Sequence, residues 1–382
     1  MDIRIGKLTV LIGEQATGKS TLGKLLAVCK DFDAIKPDEH SDIIFETHLD
    51  SFGLRGYLEK ALTIEYKNRD YSLDFEVYRD EVKTFDQGEE VEYEASILKA
   101  HFDSIPVSDL FKSIFEDFKQ FQLRGNKTVT GWQLRQDFYE NRVYPNVQDA
   151  FYIPAERSLQ SIFTIGKGSI SNLSDQLFSQ FAQIDTVQRL FKEEIVIEPL
   201  GIRYKNEEGI GYFRKKGEQQ YHKMQNAASG YQSVVPIVLL LEYYSQVRKK
   251  KKTFIIEEPE LNLFPTTQHR LMQYLVSNLN QTENQILITT HSPYILSALN
   301  NMLNAYKSGQ IDKERTAAIL PEKYWLNAEE VTAYRLMPDG TEEDLMNREL
   351  SMIRSEEIDE VSEELNQKFD QLVTIQLEAE HE

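Results

Sequence analysis

A glycine-rich segment near the N-terminus has the residue types and spacing of a phosphate-binding loop, or P-loop. It reads Gly13-Glu-Gln-Ala-Thr-Gly-Lys-Ser-Thr21 and lies between an apolar run and a helical pattern. The glycines let backbone N–H groups wrap phosphates, the lysine can reach the β- and γ-phosphates, and the serine hydroxyl can ligate Mg²⁺. The residues predicted to contact a nucleoside triphosphate are Gly13, Gln15, Ala16, Thr17, Gly18, Lys19, Ser20 and Thr21, with Ser20 also a metal ligand. The alternative is a chance Gly-Lys-Ser turn.

A second segment, Thr253-Phe-Ile-Ile-Glu-Glu-Pro-Glu260, predicts a buried strand that ends in carboxylates. This is the pattern of a Walker B strand. Glu257 takes the place of the carboxylate on the magnesium side and would act through a metal-bound water. Glu258 is placed to polarise an attacking water and is the predicted catalytic base. The alternative is that these carboxylates only solubilise the end of the strand.

Two more polar segments lie at the ends of predicted elements. Ser229-Gly-Tyr-Gln232 leads into an apolar helix predicted from Val234 to Tyr244, and His291 follows a predicted strand, Gln285–Thr290. A helix N-terminus favours negative charge, so the Ser-Gly pair could meet a phosphate. Taken singly, the pair could be an ordinary N-cap and His291 an ordinary polar residue at a strand end.

Taken in order, these segments resemble the motifs of ABC-type ATPases. The resemblances are Ser229-Gly-Tyr-Gln232 to the Ser-Gly-Gly-Gln signature, Leu261-Asn-Leu-Phe-Pro265 to the D-loop, and Thr290-His-Ser-Pro293 to the switch-histidine motif. Glu257-Glu-Pro-Glu260 and Tyr152-Ile-Pro-Ala-Glu-Arg-Ser158 resemble the OLD (overcoming lysogenisation defect) and AAA_15-like branch, which is related to RecF and SMC. The resemblance spans residues 13–294.

The resemblance implies an α/β fold of the P-loop ABC type, with a mixed sheet and flanking helices, that binds ATP and Mg²⁺ and hydrolyses ATP. In that family two heads pack face to face, and the signature of one head completes the P-loop site of the other. Ser229, Gly230 and Gln232 would therefore contact the nucleotide held by a second copy. His291 would act with the catalytic base by hydrogen-bonding the γ-phosphate and sensing its loss.

Two positions in these motifs leave alternatives open. Tyr231 stands where the family has the second signature glycine, so its ring could face the nucleotide or the partner head. Arg157 could be a cation near the phosphates or the head interface, or it could form a structural salt bridge to Glu156 or elsewhere.

The glutamine that ABC ATPases use for magnesium and water is missing from its usual place. The chain has no glutamine between Gln15 and Gln87. Glu46 and His48 are candidate substitutes, and an open corner is the third alternative.

The remaining patterns predict a split ATPase head with an inserted lobe. Alternating residues from Ala61 to Tyr78 predict a β-hairpin, and a Phe stripe, Phe111 to Phe121, predicts a packed helical face. The predicted domains are 1–92, the N-terminal part of the head with the P-loop and hairpin; 93–195, a mostly helical lobe; 196–330, the C-terminal part of the head; and 331–382, a strand and an acidic amphipathic helix.

Composition excludes several classes of protein. The chain has 382 residues, 41% of them hydrophobic, and a net charge of −19, which argues against a general nucleic-acid coat. Its longest apolar run contains Pro236 and is too short to span a bilayer, so we expect a cytoplasmic protein. A single cysteine, Cys29, excludes an internal disulfide. The basic run Arg248-Lys-Lys-Lys-Lys252 either complements a helix C-terminus or contacts DNA, and we favour the former.

The C-terminal part of the chain carries an acidic helix with one apolar face. Phe369 and Leu372 belong to that face, which we expect to dock on the chain's own head, with a partner protein as the alternative. OLD nucleases continue into a Toprim nuclease domain, and we expect none here. The resemblance therefore implies an ATP-driven switch or scaffold for a separate nuclease or toxin, as in PARIS-type anti-phage defence. It also implies that the chain forms a homodimer or a higher homo-oligomer through its ATPase heads. The alternatives are a RecF-like DNA-repair ATPase and a slow nucleotide sensor.

Overall fold

A computed structural model describes residues 2–30, 52, 54, 62–67, 72–86, 89–103, 149–159, 175–247, 251–354 and 367–374. The chain divides into two compact units, one made of residues 1–23 and 151–382 and the other of residues 24–150. These boundaries differ from the predicted ones at 92/93 and 195/196. The reason at the second boundary is that a strand ending at Ile153 already belongs to the central sheet.

The helices and strands are numbered in chain order. The strands are β1 (Leu8–Ile12), β2 (Leu62–Lys67), β3 (Ser72–Asp86), β4 (Glu89–Asp103), β5 (Asp149–Ile153), β6 (Ile195–Ile197), β7 (Ile202–Glu207), β8 (Ile210–Lys215), β9 (His222–Lys223), β10 (Lys252–Glu257), β11 (Gln285–Thr290), β12 (Val331–Leu336), β13 (Glu342–Asp344), β14 (Met346–Asn347) and β15 (Met352–Ile353). The helices are α1 (Lys19–Lys30), α2 (Asp175–Leu190), α3 (Ser229–Glu242), α4 (Pro265–Gln281), α5 (Pro293–Gly309) and α6 (Lys313–Ile319).

The central sheet brings the predicted motifs to one edge. Its strand order is β13-β12-β1-β11-β10-β5, and β12, β1, β11 and β10 run parallel. Ile12 is paired with Thr290, and Glu257 is paired with Thr289. The P-loop, the Walker B carboxylates and His291 therefore all begin where adjacent parallel strands end. This arrangement confirms the predicted α/β fold with a mixed sheet.

Helices on the faces of this sheet supply the core. In α4 the buried side chains Leu271, Leu275 and Leu279 recur at helical spacing, as expected for a helix with one packed face. Helix α3 is different, because every residue from 233 to 241 is buried. A helix that is apolar all round must be enclosed by the fold, so α3 is packed on all sides behind its N-terminal signature residues.

The second unit contains an antiparallel sheet in the order β2-β3-β4. The pairing of β2 with β3 confirms the predicted hairpin, although its tip, residues 68–71, lies outside the described residues. The prediction of helix from residue 93 is wrong for residues 93–103, which belong to β4 and pair along β3. The alternation of Val91, Tyr93, Ala95 and Ile97 has the period of a strand. The Phe stripe lies outside the described residues.

Other predicted elements agree with the structure. The mostly helical lobe predicted up to residue 195 contains α2, and β6, β7, β8 and β9 form an antiparallel sheet before the signature. The strand predicted at the start of the C-terminal segment is β12, and a turn at Gly340, whose φ is +84°, follows it.

The C-terminal helical segment departs from expectation. Phe369 and Leu372, on the described helix 367–374, are 65% and 60% exposed, so neither docks on the head as predicted. The remaining residues of the apolar face lie outside the described part of the chain. None of the helices described has the length and apolarity needed to span a bilayer.

Candidate functional site

The backbone of the P-loop has a positive φ at three positions. Gly13 and Gly18 have φ values of +152° and +90°, a region that favours glycine. A Cβ at Gly13 would lie 2.6 Å from the carbonyl oxygen of Leu336 and 2.8 Å from Oγ1 of Thr17. Ala16 also has a positive φ, of +64°. The loop is therefore curved by specific residues, as a phosphate cradle requires.

Lys19 lies across the mouth of this loop. Its Nζ donates hydrogen bonds to the carbonyl oxygens of Gly13 at 2.8 Å and Glu14 at 2.5 Å. Burial lowers the pKa of Lys19, and the carboxylates of Glu258 and Glu260 act in the opposite direction. The lysine thus lies in the electrostatic field of residues that follow the Walker B strand.

The other predicted P-loop residues divide into buried and exposed groups. Thr17 is buried and its hydroxyl donates to the carbonyl oxygen of Glu14 at 2.9 Å, which braces the loop. Thr21 is half-buried on the first turn of α1. Gln15, Ala16 and Ser20 are exposed, so their surfaces are open to a ligand.

Glu257 ends β10 as a buried carboxylate. Its Oε2 accepts a hydrogen bond from the amide of Ala155 at 3.3 Å. Its buried Oε1 accepts none within the described residues. Burial and the adjacent Glu257 carboxylate raise the pKa of Tyr152 well above its usual range. A carboxylate oxygen of Glu257 and the hydroxyl of Ser20 are both hard oxygen donors, the kind that fits Mg²⁺ or a water bound to it.

Glu258 is held in a sparsely populated backbone conformation. Its φ is +39°, uncommon for a residue with a side chain. The strain is supported by hydrogen bonds from its amide to the carbonyl oxygen and the hydroxyl of Thr289, at 3.0 and 3.2 Å. Its Oε1 lies 3.7 Å from Nε2 of His291. Residues with strained backbone conformations are concentrated at active sites, where the surrounding structure supports the strain.

His291 follows β11 and faces both charged groups of the site. Burial and nearby Lys19 lower its pKa, while Glu258 opposes them. The imidazole is therefore neutral at pH 7, and it can donate a hydrogen bond without adding charge. The structure thus brings Lys19, Glu258 and His291 together, as the motif order predicts.

The signature segment begins α3 with an exposed serine. The N-cap residue is Ala228, which makes no side-chain cap, so Ser229 is not the N-cap. A Cβ at Gly230 would lie 2.8 Å from the carbonyl oxygen of Asn262 in the predicted D-loop. Any other residue there must displace that backbone. The exposed helix N-terminus retains the amide donors that suit an anion.

The side chains that follow Gly230 pack within their own chain. The ring of Tyr231 meets Phe213 edge-on with a centroid separation of 5.3 Å, and a contact of this ring with the nucleotide or a partner head stays a prediction. The side-chain Nε2 of Gln232 donates to the carbonyl oxygens of Met224 and Ala227, at 3.3 and 3.0 Å. A phosphate contact by Gln232 stays a prediction.

Arg157 is completely buried, and within the described residues its hydrogen bonds go to the main chain rather than to Glu156. Its guanidinium donates to the backbone carbonyl oxygens of Pro154, Ser233, Glu257 and Glu258, at 2.7 to 3.1 Å. Its isolation from solvent results from the tertiary packing of three segments that are distant in sequence. A contact of Arg157 with a phosphate or with the interface to a second head stays a prediction.

The combined site has the architecture of an ATPase, and comparison with known families supports this reading. A family model described as "AAA domain, putative AbiEii toxin, Type IV TA system" matches residues 8–297, well over half of the chain. The chain belongs to this AAA_21 family. Its membership confirms the broader assignment to ABC-type P-loop ATPases, whereas the OLD and AAA_15-like branch stays a prediction. No curated protein matches the chain.

Solved structures similar to this AAA_21 chain include SMC head domains. The head domain from Thermotoga maritima is 14% identical, with a TM-score of 0.32 over 78% of this chain and 85% of that chain. An Smc head bound to the C-winged helix domain of ScpA is 10% identical, with a TM-score of 0.40 over 90% of each chain. An Smc head with an extended coiled coil bound to the C-terminal domain of ScpA derived from Pyrococcus furiosus is 11% identical, with a TM-score of 0.35 over 95% of this chain and 94% of that chain.

One residue of the AAA_21 site was missed by sequence reasoning. Glu260 Oε1 accepts hydrogen bonds from the hydroxyl of Thr290 at 2.7 Å and from the amide of His291 at 2.9 Å. Its buried Oε2 accepts none within the described residues. The signal available was its position two residues after Glu258 in Glu257-Glu-Pro-Glu260. Glu260 therefore anchors the backbone that carries His291.

The environment of Glu260 predicts a pH dependence of stability. Burial raises its pKa, partly opposed by the bonds from His291 and Thr290, so the folded state holds a proton at pH values where the unfolded state has released it. Stability due to this group therefore falls as pH rises from the ordinary Glu pKa through the raised one. We expect the Tm of Glu260→Gln to rise relative to that of the wild type as the pH increases above the ordinary pKa of a glutamate. Differential scanning calorimetry measures this, with exposed Glu283→Gln as the control; a pH-independent difference would contradict it.

The basic run before β10 and the candidate substitutes for the missing glutamine are only partly described by the structure. Lys251 forms an ion pair with Glu283, and buried Lys252 has its Nζ 4.9 Å from the centre of the Tyr244 ring. Both described lysines of the basic run are thus engaged within the chain, while residues 248–250 lie outside the described part. Glu46 and His48 also lie outside it.

Proposed function

We propose that this chain hydrolyses ATP to ADP and phosphate at the edge of its central sheet. The observation that supports this most directly is that Glu258 Oε1 lies 3.7 Å from His291 Nε2. Lys19 interacts electrostatically with both residues. The lysine binds β- and γ-phosphate oxygens, and Glu258 takes the proton of the attacking water. Neutral His291 donates a hydrogen bond to the γ-phosphate and registers its loss.

Ser20 and Glu257 are the residues that would hold Mg²⁺. The ion, when bound, neutralises charge on the phosphate oxygens. The buried Oε1 of Glu257 and the exposed Ser20 hydroxyl provide oxygen ligands of the kind that Mg²⁺ prefers. The site residues of this chain then orient the triphosphate against Glu258.

The active form in this proposal is a dimer of heads. Ser229 is exposed at the start of α3, where Ala228 provides no side-chain cap, and the first amide groups of a helix have no partner within the helix itself. A second copy would bring its γ-phosphate to Ser229 and Gly230, where the helix dipole favours negative charge. Hydrolysis and dissociation of the heads would then be coupled.

The biological role proposed is that of a switch for a separate effector in anti-phage defence. The Glu257-Glu-Pro-Glu260 and Thr290-His-Ser-Pro293 strings support a place in the OLD-like branch. The family description, which names a toxin and a type IV toxin–antitoxin system, supports a two-component arrangement. Purification from the native host should bring down a nuclease or toxin; its absence would contradict this role.

The test of the core proposal is ATP turnover per head as a function of protein concentration. A composite site predicts that turnover per head rises with concentration and reaches a plateau once dimers predominate. Analytical ultracentrifugation with and without ATP measures the dimer directly. Turnover per head that is constant from the lowest concentration, where only monomers sediment, would overturn the dimeric mechanism.

A further inference from the structure

Arg157 ties the Walker B end to the signature helix through backbone groups alone. Its Nε donates to the carbonyl oxygen of Ser233 on α3 at 3.0 Å. Its Nη1 donates to Pro154 at 3.1 Å and Glu257 at 2.7 Å, and its Nη2 donates to Glu258 at 2.8 Å. We call Arg157 and these four carbonyl groups the Arg157 clasp. It joins three segments that are distant in sequence, because Arg157 lies 76 residues before Ser233 and 100 residues before Glu257.

A second contact joins the same two elements. The Gly230 position in α3 packs against Asn262, whose carbonyl oxygen leaves no room for a Cβ. Asn262 has a φ of +64° and Glu258 a φ of +39°, so the chain between them begins and ends in the left-handed region. A segment strained at both ends needs external support to keep its geometry. The clasp supports it at Glu258, and Gly230 supports it at Asn262.

We propose that Arg157 is a positioning residue that couples the signature helix to the catalytic carboxylate. This inference rests on the proposed function. When a phosphate of a second copy engages Ser229 and Gly230, displacement of α3 moves the Ser233 carbonyl group. The Arg157 clasp transmits that movement to the peptide group of Glu258. The position of this peptide group sets the direction of the Glu258 side chain. Arg157 is completely buried, so in this role it acts through Glu258 and not on the nucleotide itself.

The electrostatics of the clasp are consistent with a permanent cation. Burial lowers the pKa of Arg157 to about 10, while Glu260, Glu257, Glu258 and Glu156 oppose the shift. The guanidinium therefore stays charged at pH 7. Carboxylates surround the guanidinium, but its hydrogen bonds go to neutral backbone carbonyl groups. The planar guanidinium therefore holds these carbonyl groups in a fixed arrangement.

Lysine cannot reproduce this set of hydrogen bonds. A guanidinium has five N–H donors in a fixed plane, whereas an ammonium has three donors on a flexible stem. Arg157→Lys keeps the charge and most of the volume but cannot span the carbonyl groups of Ser233, Glu257 and Glu258 together. Misplacement of a catalytic group by about 1 Å costs on the order of 100-fold in rate.

The test compares Arg157→Lys with a structural control in steady-state and binding assays. We expect kcat to fall about 100-fold while the Kd for ATP, measured by fluorescence titration, stays within about threefold of the wild type. The control is Asn284→Ala. Asn284 is a buried polar hub at the opposite edge of the sheet, where it accepts from the Lys252 amide and donates to Ser245. We expect this control to lose Tm and keep kcat.

A double-mutant cycle with Gly230→Ala identifies the shared linkage. If both residues act on the same segment, the double variant should have a kcat close to that of the slower single variant. Losses that multiply would overturn the coupling. Wild-type kcat in folded Arg157→Lys, or a parallel rise in the Kd for ATP, would overturn the positioning role alone. A wild-type protein without turnover at any concentration would overturn the proposed function and this inference together.

Discussion

Glu258→Gln should lower ATP turnover by about 1,000-fold while leaving ATP binding intact. The amide keeps the shape of the carboxylate but cannot accept the proton of the attacking water. Binding depends on the P-loop, where Lys19 and the backbone amides hold the phosphates. The strained backbone of Glu258, with its φ of +39°, is set by bonds to Thr289 and Arg157 that use main-chain atoms, so the substitution leaves them in place.

The measurement is phosphate release under single-turnover conditions beside equilibrium binding of ATP. Glu283→Gln is the matched control, since Glu283 is an exposed carboxylate at the other edge of the sheet, paired with Lys251. Such exposed pairs contribute little to stability, and we expect wild-type turnover from this control. If Glu258→Gln released phosphate at the wild-type rate, Glu258 would not be the base.

A mixture of two inactive variants, Glu258→Gln and Ser229→Arg, should recover phosphate release. In a mixed dimer, one site combines the altered base with the altered signature and is inactive. The other combines an intact base from the Ser229→Arg chain with an intact signature from the Glu258→Gln chain. Recovery therefore follows only if each site is shared between two heads.

Ser229 is suited to this experiment because it is exposed at the start of α3. Surface substitutions usually change stability by no more than about 0.5 kcal/mol, so the arginine should block the partner's phosphate without unfolding the head. The measurement is the first-turnover burst of phosphate in the mixture, with each variant alone at the same total concentration as the control. A mixture no more active than the two variants apart would show that each head works by itself.

Much of the site could be predicted because its residues follow strands in a fixed order. Buried apolar runs such as Phe254 to Ile256 identify central parallel strands, and polar residues directly after them must reach the same edge. Lys19, Glu258 and His291 meet there for this reason. The same local logic failed for residues 93–103, where a strand-period alternation was interpreted as helix.

The sequence by itself determined the nucleotide-binding class of this protein, because the P-loop and Walker B patterns are local and their chemistry allows few substitutes. Only the tertiary structure decided the contacts that Arg157, Gly230, Tyr231 and Glu260 make. Each depends on a partner distant along the chain, such as Ser233 for Arg157 or Asn262 for Gly230. Hydrogen bonds to backbone carbonyl groups leave no trace in residue types, since every residue supplies the same acceptor. A buried arginine that binds only main chain therefore looks, in sequence, the same as one that binds phosphate.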